Sequence, residues 1–312
     1  MRRYFVNPFY SLNGLFIAAS LWMVSSSGET VKDRQAAVLE DRSKMENDSR
    51  WIYNDWRRGF EEAKRTGKPL LVVLRCVPCL ACMGIDASVL IEPELQPILD
   101  QFVRVRVMNA NDLDLSLFQF DYDLSFSAMF FNGDRTVYGR YGSWMHQKNP
   151  QEKTTAGFKN ALDAALVIHR GYPANKEALR GKQGGPVPVT DPLQLPQIAG
   201  KYHRTLDWEG KVVQSCVHCH QIGEAMRTVY RQEKKHLPLS SIYPMPLPET
   251  VGLTLAVEDI ARVQSVSTGS IAAQAGLQPG DDFVSVAGEP LISITDFAWV
   301  LHHAPDSGSL PA

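Results

Sequence analysis

The sequence lacks the features that define several large classes of protein. Its 312 residues include only five cysteines, too few to build a disulfide-stapled scaffold. Lys and Arg number 32 against 34 Asp and Glu, so no basic excess exists to neutralise phosphates, and we expect no nucleic-acid partner. No internal repeat is present. A composition of 44% hydrophobic and 21% charged residues excludes collagen, coiled coils and wholesale disorder, and the length suggests two or three domains.

The apolar run at the N-terminus is short. Residues Leu12–Val24 carry no charge, but their 13 positions fall below the ~20 that an ordinary membrane span needs. Two arginines precede the run and small residues follow it, as in the apolar region of a secretory signal. The sequence therefore predicts export to the periplasm or cell envelope, with residues 1–28 as a signal peptide or an uncleaved membrane anchor. Residues 29–50 are charged, lack apolar periodicity and predict a solvated linker.

Residues 51–170 alternate between helix and strand patterns. A helix capped by Asp55 and stopped by Gly67 presents one apolar face. Further on, Asn132-Gly133 favours a hairpin turn. The order of these patterns predicts an α/β sandwich. Its strands are expected at 70–74, 102–107, 129–131 and 136–141, and a closing helix at 154–169.

Three thiols follow the first of these strands. Cys76, Cys79 and Cys82 lie in Arg-Cys-Val-Pro-Cys-Leu-Ala-Cys. The spacing of Cys79 and Cys82 places both sulfurs on one side of a first helical turn, where the helix dipole favours a thiolate. The first thiol would attack a disulfide and the second would resolve the product. A structural disulfide remains an alternative, as does binding of Cu(I) or Zn(II) by all three thiolates.

The stretch from Asp55-Trp56 to Gly67-Lys68-Pro69 and the strand after it resembles the opening of thioredoxin-like domains. The resemblance implies that Cys79 is the catalytic nucleophile and Cys82 its resolving partner, with Cys76 as an additional thiol. The family also places a cis-proline before the hairpin strand. The matching residues 124–129 contain no proline, which favours a binding role over turnover.

A second cysteine pair lies in Cys216-Val217-His218-Cys219-His220, the attachment pattern of c-type haem. In that chemistry Cys216 and Cys219 add to the haem vinyl groups and His220 becomes an axial ligand of the iron. Half of a zinc site and a second disulfide are the competing interpretations. The pattern predicts haem c as the cofactor of a small, mostly helical segment over 197–248.

The sixth haem ligand is expected in the same segment. The flanks of the motif resemble small cytochromes c, and the resemblance implies Met245, in Tyr-Pro-Met-Pro, as the axial methionine. An open coordination position is a further alternative. The other candidate side chains are His203, Met226 and His236.

The C-terminal part, 249–312, follows a Pro- and Gly-rich linker at 171–196. Its run Ser-Ile-Ala-Ala-Gln-Ala-Gly-Leu-Gln-Pro-Gly-Asp resembles bacterial-type PDZ domains, which implies an α+β fold. A peptide C-terminus would bind the backbone of one loop and add as a strand beside the helix near 296–302. Because the sequence stops at Ala312, we expect a domain short of its last strand or a truncated product. The loop residues are Gly252, Leu253, Thr254 and Leu255.

Taken together, the patterns predict a multidomain, exported redox or electron-transfer protein. It would contain a thioredoxin-like domain, a haem c segment and a PDZ domain. Its expected partners are a redox protein and polypeptide C-termini. The alternative is a non-catalytic envelope scaffold whose cysteines are structural or bind soft metal. No serine-protease triad is visible, and whether the protein is an enzyme stays open.

Overall fold

The computed structural model describes residues 34–75, 90, 92–123, 126–142, 155–305 and 309–312. The predicted signal or anchor therefore lies outside the described residues, as do the thiols Cys76, Cys79 and Cys82. Among the described residues, no helix is both long enough and apolar enough to cross a bilayer.

A mixed five-stranded sheet forms the first half of the described chain. Its strands are β1 Ile52–Tyr53, β2 Leu70–Arg75, β3 Val103–Val107, β4 Phe126–Phe131 and β5 Val137–Gly142. Their order in the sheet is β1-β3-β2-β4-β5, with β1 and β2 parallel to β3, and β4 antiparallel to both β2 and β5. The central strand β2 is buried along its whole length, as expected for a strand covered on both faces. The predicted α/β sandwich is confirmed.

Helices pack on both faces of this sheet. Those preceding the haem motif are α1 Arg34–Glu46, α2 Trp56–Thr66, α3 Gln96–Leu99 and α4 Thr155–Gly171. Helix α2 begins where predicted, because the side chain of Asp55 accepts a hydrogen bond from the backbone of Arg58. It ends at Gly67, whose φ of 70° is the left-handed conformation that glycine adopts without strain.

The alternation of side chains along β2 divides the core into two layers. Leu70, Val72 and Leu74 pack with Trp56 and Phe60 of α2. Leu71 and Val73 point the other way, into a layer with α3 and α4. Residues of the segment 108–123 and of the helix that begins at Cys219 complete the first layer, so the segment around the predicted haem motif packs on the five-stranded sheet.

Helix α1 corrects the prediction of a solvated linker over 29–50. The helix buries one apolar residue, Val38, and is fixed mainly by a charge. Asp41 Oδ1 lies 3.0 Å from a guanidinium nitrogen of Arg75 on β2 and 2.5 Å from one of Arg106 on β3. Burial raises the pKa of Asp41, and the neighbouring Arg106 opposes that rise. The prediction from apolar spacing did not find this helix, because an ion pair and not an apolar face anchors it.

The Pro- and Gly-rich segment also packs against the sheet. It contains 3₁₀ helices at Lys176–Lys182 and Pro192–Gln194, and Leu179, Lys182 and Leu195 are fully buried. The remaining elements are α5 Val212–Ser215, α6 Cys219–Gln232, α7 Leu239–Ile242, a 3₁₀ helix at Pro248–Val251, β6 Leu253–Leu255, β7 Val263–Val266, α8 Ile271–Gln274, β8 Ser285–Val286, β9 Glu289–Pro290 and α9 Ile294–His303.

Candidate functional site

The predicted haem motif spans the junction of α5 and α6. Cys216 follows α5 in an extended conformation, and α6 begins at Cys219. The backbone N–H of His218 donates to the side chain of Gln221 at 2.7 Å, which closes the N-terminus of the helix. His220 lies on the first turn and is exposed.

Asn111, which the sequence analysis did not single out, holds this motif against the sheet. Its side-chain oxygen accepts from the backbone N–H of Val217 at 2.7 Å, and its amide nitrogen donates to the carbonyls of His203 and Ser215. The N–H of Ala110 also donates to the carbonyl of Val217 at 2.9 Å. The loop after β3 therefore fixes the position of the motif. Asn111 is fully buried, and that burial is the one feature that marks it as a structural residue. Burial cannot be read from a single sequence, so the sequence analysis had no signal for this role.

The two thiols of the motif lie in different hydrophobic clusters. Cys216 is 2% exposed, packs with Val38 and Met108, and donates through Sγ to the carbonyl of Val212 at 3.1 Å. Cys219 packs against the layer of α2. Both are free thiols, and burial raises the pKa of each to about 12. At neutral pH they are protonated and poorly nucleophilic.

A small crevice joins the motif to the thioredoxin-like sheet. His218 and Cys219 line it together with Arg75 and Met108, and its volume of about 10 Å³ is that of a single water. The crevice lies at the carboxyl ends of the parallel strands β2 and β3, the edge of an α/β sheet where ligands bind. Arg75 directly precedes the first cysteine of the Cys76–Cys82 cluster in the sequence.

The described arrangement does not fit a haem held by both thiols, His220 and Met245. The two sulfurs lie in separate clusters, and the ring of His220 stacks on that of His218 at the surface, with centroids 5.7 Å apart. Met245 is buried against Ala298 and Trp299, away from the crevice of Cys219. No group of three His, Cys, Asp or Glu within the described part of the chain could hold a metal ion.

The predicted peptide-binding loop lies at the start of β6. Gly252 has a φ of 85°, and a Cβ at this position would overlap Ser270, so two separate constraints require glycine. Its N–H donates to the carbonyl of Glu249 at 3.0 Å and is therefore already satisfied. Leu253 and Leu255 are buried in the core of the PDZ region. The loop lies at its predicted position, but the N–H of Gly252 is not free to donate to the C-terminal carboxylate of a peptide.

Helix α9 of this C-terminal region is fixed by a buried ion pair to the 3₁₀ helix Lys176–Lys182 and by hydrogen bonds to strand β5. Lys182 Nζ lies 2.6 Å from Asp296 Oδ2, and both side chains are at most 1% exposed. Asp296 also accepts from the backbone N–H of Arg140 at 2.9 Å. Ser293 and Thr295 donate to the carbonyls of β5 residues Arg140 and Gly142.

The guanidinium of Arg140 completes this contact. Its central carbon lies 3.3 Å from the centroid of the Trp299 ring, and burial lowers the pKa of Arg140 to about 10. The indole N–H of Trp299 donates to the carbonyl of Gly181 at 2.9 Å. We call this contact the α9–β5 seam. One feature of the sequence indicates this contact: Asp296 is a charged residue within an otherwise apolar stretch of α9.

Two families match parts of the chain. The thioredoxin-like family matches residues 51–133, and the PDZ domain family matches residues 262–309. No curated protein matches the chain. The first domain suggests a redox function and the second suggests binding of a protein or peptide partner. The chain therefore combines a thioredoxin-like domain and a PDZ domain in one polypeptide.

Proposed function

We propose that this protein is an exported thiol–disulfide redox protein whose PDZ domain docks its polypeptide partners. The observation that supports it best is the fixed end of β2. Arg75 is buried, paired with Asp41 at 3.0 Å, and borders the crevice lined by Cys219. Cys76, the first residue of the thiol cluster, directly follows this anchored strand end in the sequence, and redox sites depend on rigid support of this kind.

The exchange would proceed through Cys79 and Cys82. The Cys79 thiolate attacks one sulfur of a partner disulfide and releases the other sulfur as a thiolate. Cys82 then attacks Cys79, so the partner leaves with both sulfurs reduced, having gained two electrons, and the protein retains a Cys79–Cys82 disulfide. An external dithiol restores the reduced protein. Cys216 and Cys219 do not start this exchange, because burial raises the pKa of both thiols.

A disulfide-reduction assay tests the proposal. With dithiothreitol as reductant, the protein should accelerate reduction of a disulfide-bonded substrate such as insulin. Cys79→Ser should abolish the acceleration, and Cys82→Ser should trap a mixed disulfide visible on a non-reducing gel. Cys76→Ser, a change in the same cluster, is the matched control and should retain activity. Full activity in Cys79→Ser would sink the proposal.

Covalent haem at Cys216, Cys219 and His220 stays a prediction of the motif alone. Attachment would require Cys216 to leave the cluster it forms with Val38 and Met108. The test is a pyridine haemochrome spectrum, with a haem-stained denaturing gel, of protein exported beside c-haem maturation machinery. A covalent band that disappears in Cys216→Ser would support haem. N-terminal sequencing of the exported protein tests the signal over residues 1–28.

A further inference from the structure

A cavity of about 200 Å³ lies where the thioredoxin-like domain, α6 and α9 meet. The loop of Phe120 and Tyr122 forms one wall, Met226 and Tyr230 of α6 form a second, and Trp299 of α9 forms a third. A cavity of roughly 150 Å³ is known to accept benzene, so this one has room for an aromatic group of one or two rings. The cavity is separate from both the Cys219 crevice and the PDZ loop.

The walls of the cavity suit an aromatic guest. Phe120 and Tyr122 form a tilted pair with ring centroids 4.8 Å apart, and Tyr230 supplies a third ring, while Trp299, whose ring already contacts Arg140, borders the cavity from α9. Aromatic groups gain from tilted and edge-to-face contacts beyond simple burial of area. Met226 and Met245 also line the cavity, and thioethers make favourable, adaptable contacts with rings.

The charged groups of the cavity are already compensated. Arg227 pairs with both oxygens of Asp123 at 3.0 and 3.1 Å and with Glu224 at 3.2 Å. His302 accepts a hydrogen bond from the backbone N–H of Met245 at 3.2 Å, and burial lowers its pKa to about 4, so its ring is neutral at pH 7. Among the described residues that line the cavity, a charged ligand would find no unpaired opposite charge, which favours an uncharged one.

The rim of the cavity indicates that the guest belongs to a polypeptide. Helix α7 lines the cavity with Ser240 and Ser241. Leu239 and Ile242 at the two ends of this helix and Tyr243 directly after it are 65%, 44% and 68% exposed. Exposed apolar side chains beside a pocket are typical of interfaces in which one buried anchor is surrounded by contacts that exclude water. A small free molecule would leave this rim uncovered.

We propose that the cavity receives an uncharged aromatic side chain of a partner polypeptide, whose flanking residues cover the exposed rim of α7. The proposal goes beyond the thiol chemistry and uses neither the cysteines nor the PDZ loop. It makes α6 and α9 the two sides of one docking site for a polypeptide partner.

The test uses the full chain and a pentapeptide, acetyl-Gly-Gly-Trp-Gly-Gly-amide, with an Ala version as control. Neither peptide has a thiol or a free carboxylate, so neither redox exchange nor PDZ binding contributes. Saturation-transfer NMR should show magnetisation transfer from the protein to the indole protons of the Trp peptide, and no transfer to the Ala peptide. Titration should give weaker binding by about tenfold in Ser240→Trp, which narrows the cavity, and by a few-fold in Leu239→Ser/Tyr243→Ser.

The matched control is Ile271→Ser, which removes a 66% exposed apolar side chain from the PDZ region, away from the cavity, and should leave binding unchanged. Free indole provides a second arm. Indole binding as tightly as the peptide would show that the rim contributes nothing, and would overturn the assignment to a polypeptide. Absence of Trp-peptide binding, or equal binding by both variants and wild type, would overturn the site itself. Disulfide reduction is measured separately, so the two proposals fail independently.

Discussion

Cys216 and Cys219 hold their protons far more tightly than free cysteine does. Burial raises the pKa of each thiol from 9.0 to about 12, so the thiolate fraction at pH 8 falls by about a thousandfold. Thiolate is the species that alkylates, exchanges and binds metal. The same spacing that suits redox or haem chemistry therefore gives two unreactive thiols when the surrounding residues bury them.

Alkylation at pH 8 should distinguish these two thiols from exposed ones. We expect iodoacetamide to modify Cys216 and Cys219 much more slowly in the folded protein than in urea, because folding lowers the thiolate fraction of both and also buries Cys216. Peptide mass spectrometry reports each cysteine separately. Equal rates in the folded and unfolded protein would contradict the burial described here.

The same pKa shifts make stability fall at alkaline pH. Above pH 9 the unfolded chain loses these thiol protons while the folded chain keeps them until about pH 12. The thiols' contribution is therefore complete below pH 9 and is lost as pH rises toward 12. Urea unfolding between pH 8 and 11 should give a shallower decline in Cys216→Ala/Cys219→Ala than in wild type. Buried tyrosines contribute in both proteins, so the difference isolates the thiols.

At the scale of elements, helix α9 contributes to two layers of packing. Phe297 and Val300 belong to the PDZ core, whereas Asp296 and Trp299 contact β5 and the segment before the haem motif. Six consecutive residues of this ten-residue helix, Thr295 to Val300, are buried as a result. One helix therefore takes part both in the PDZ core and in the α9–β5 seam.

Asp296→Asn should destabilise the protein strongly, because it leaves the Lys182 ammonium buried without its carboxylate. Losing one partner of a buried pair costs about 3–5 kcal/mol of unfolding free energy. Asp296→Asn/Lys182→Met should recover part of that loss. The matched control is Asp163→Asn, which breaks the half-exposed Lys159–Asp163 pair and should cost less than about 1 kcal/mol. Urea denaturation measures all three, and equal costs for the two single variants would contradict the role of the seam.

The sequence predicted the elements whose signals are local. Strand β2 is a continuous apolar run, the turn between β4 and β5 falls at Asn132-Gly133 as expected, and the cap at Asp55 marks α2. Helix α1 was missed because an ion pair of Asp41 with distant strands holds it. The seam was missed because Lys182 and Asp296 are 114 residues apart. Met245 has the spacing of a haem ligand, yet the tertiary structure places it against Trp299.

At the scale of the whole molecule, residues Arg34–Ala312 form one compact unit. Two recognisable domains share it, joined by buried polar contacts that neither could satisfy alone. Breaking such contacts exposes unpaired groups on both sides, so the two domains should open together.

Native-state hydrogen exchange tests this coupling. Amides of β2 and β4 and those of β6 and β7 should exchange with the same opening free energy in wild type. Asp296→Asn should lower protection in β6 and β7 first, since the PDZ core loses its support while the five-stranded sheet keeps its own layers. Protection that already differs between the two sheets in wild type would show that the domains open independently.

Two glycines lie against α9 and its flanking strand. A Cβ at Gly139 would collide with Asp296 and Ile292, and one at Gly181 with Glu289. The backbone at these two positions thus leaves room for particular side chains of the C-terminal region. Transplanting a PDZ domain onto this chain would therefore require more than a domain that folds by itself. Its side chains at positions 292 and 296 would also have to fit the space that Gly139 leaves open.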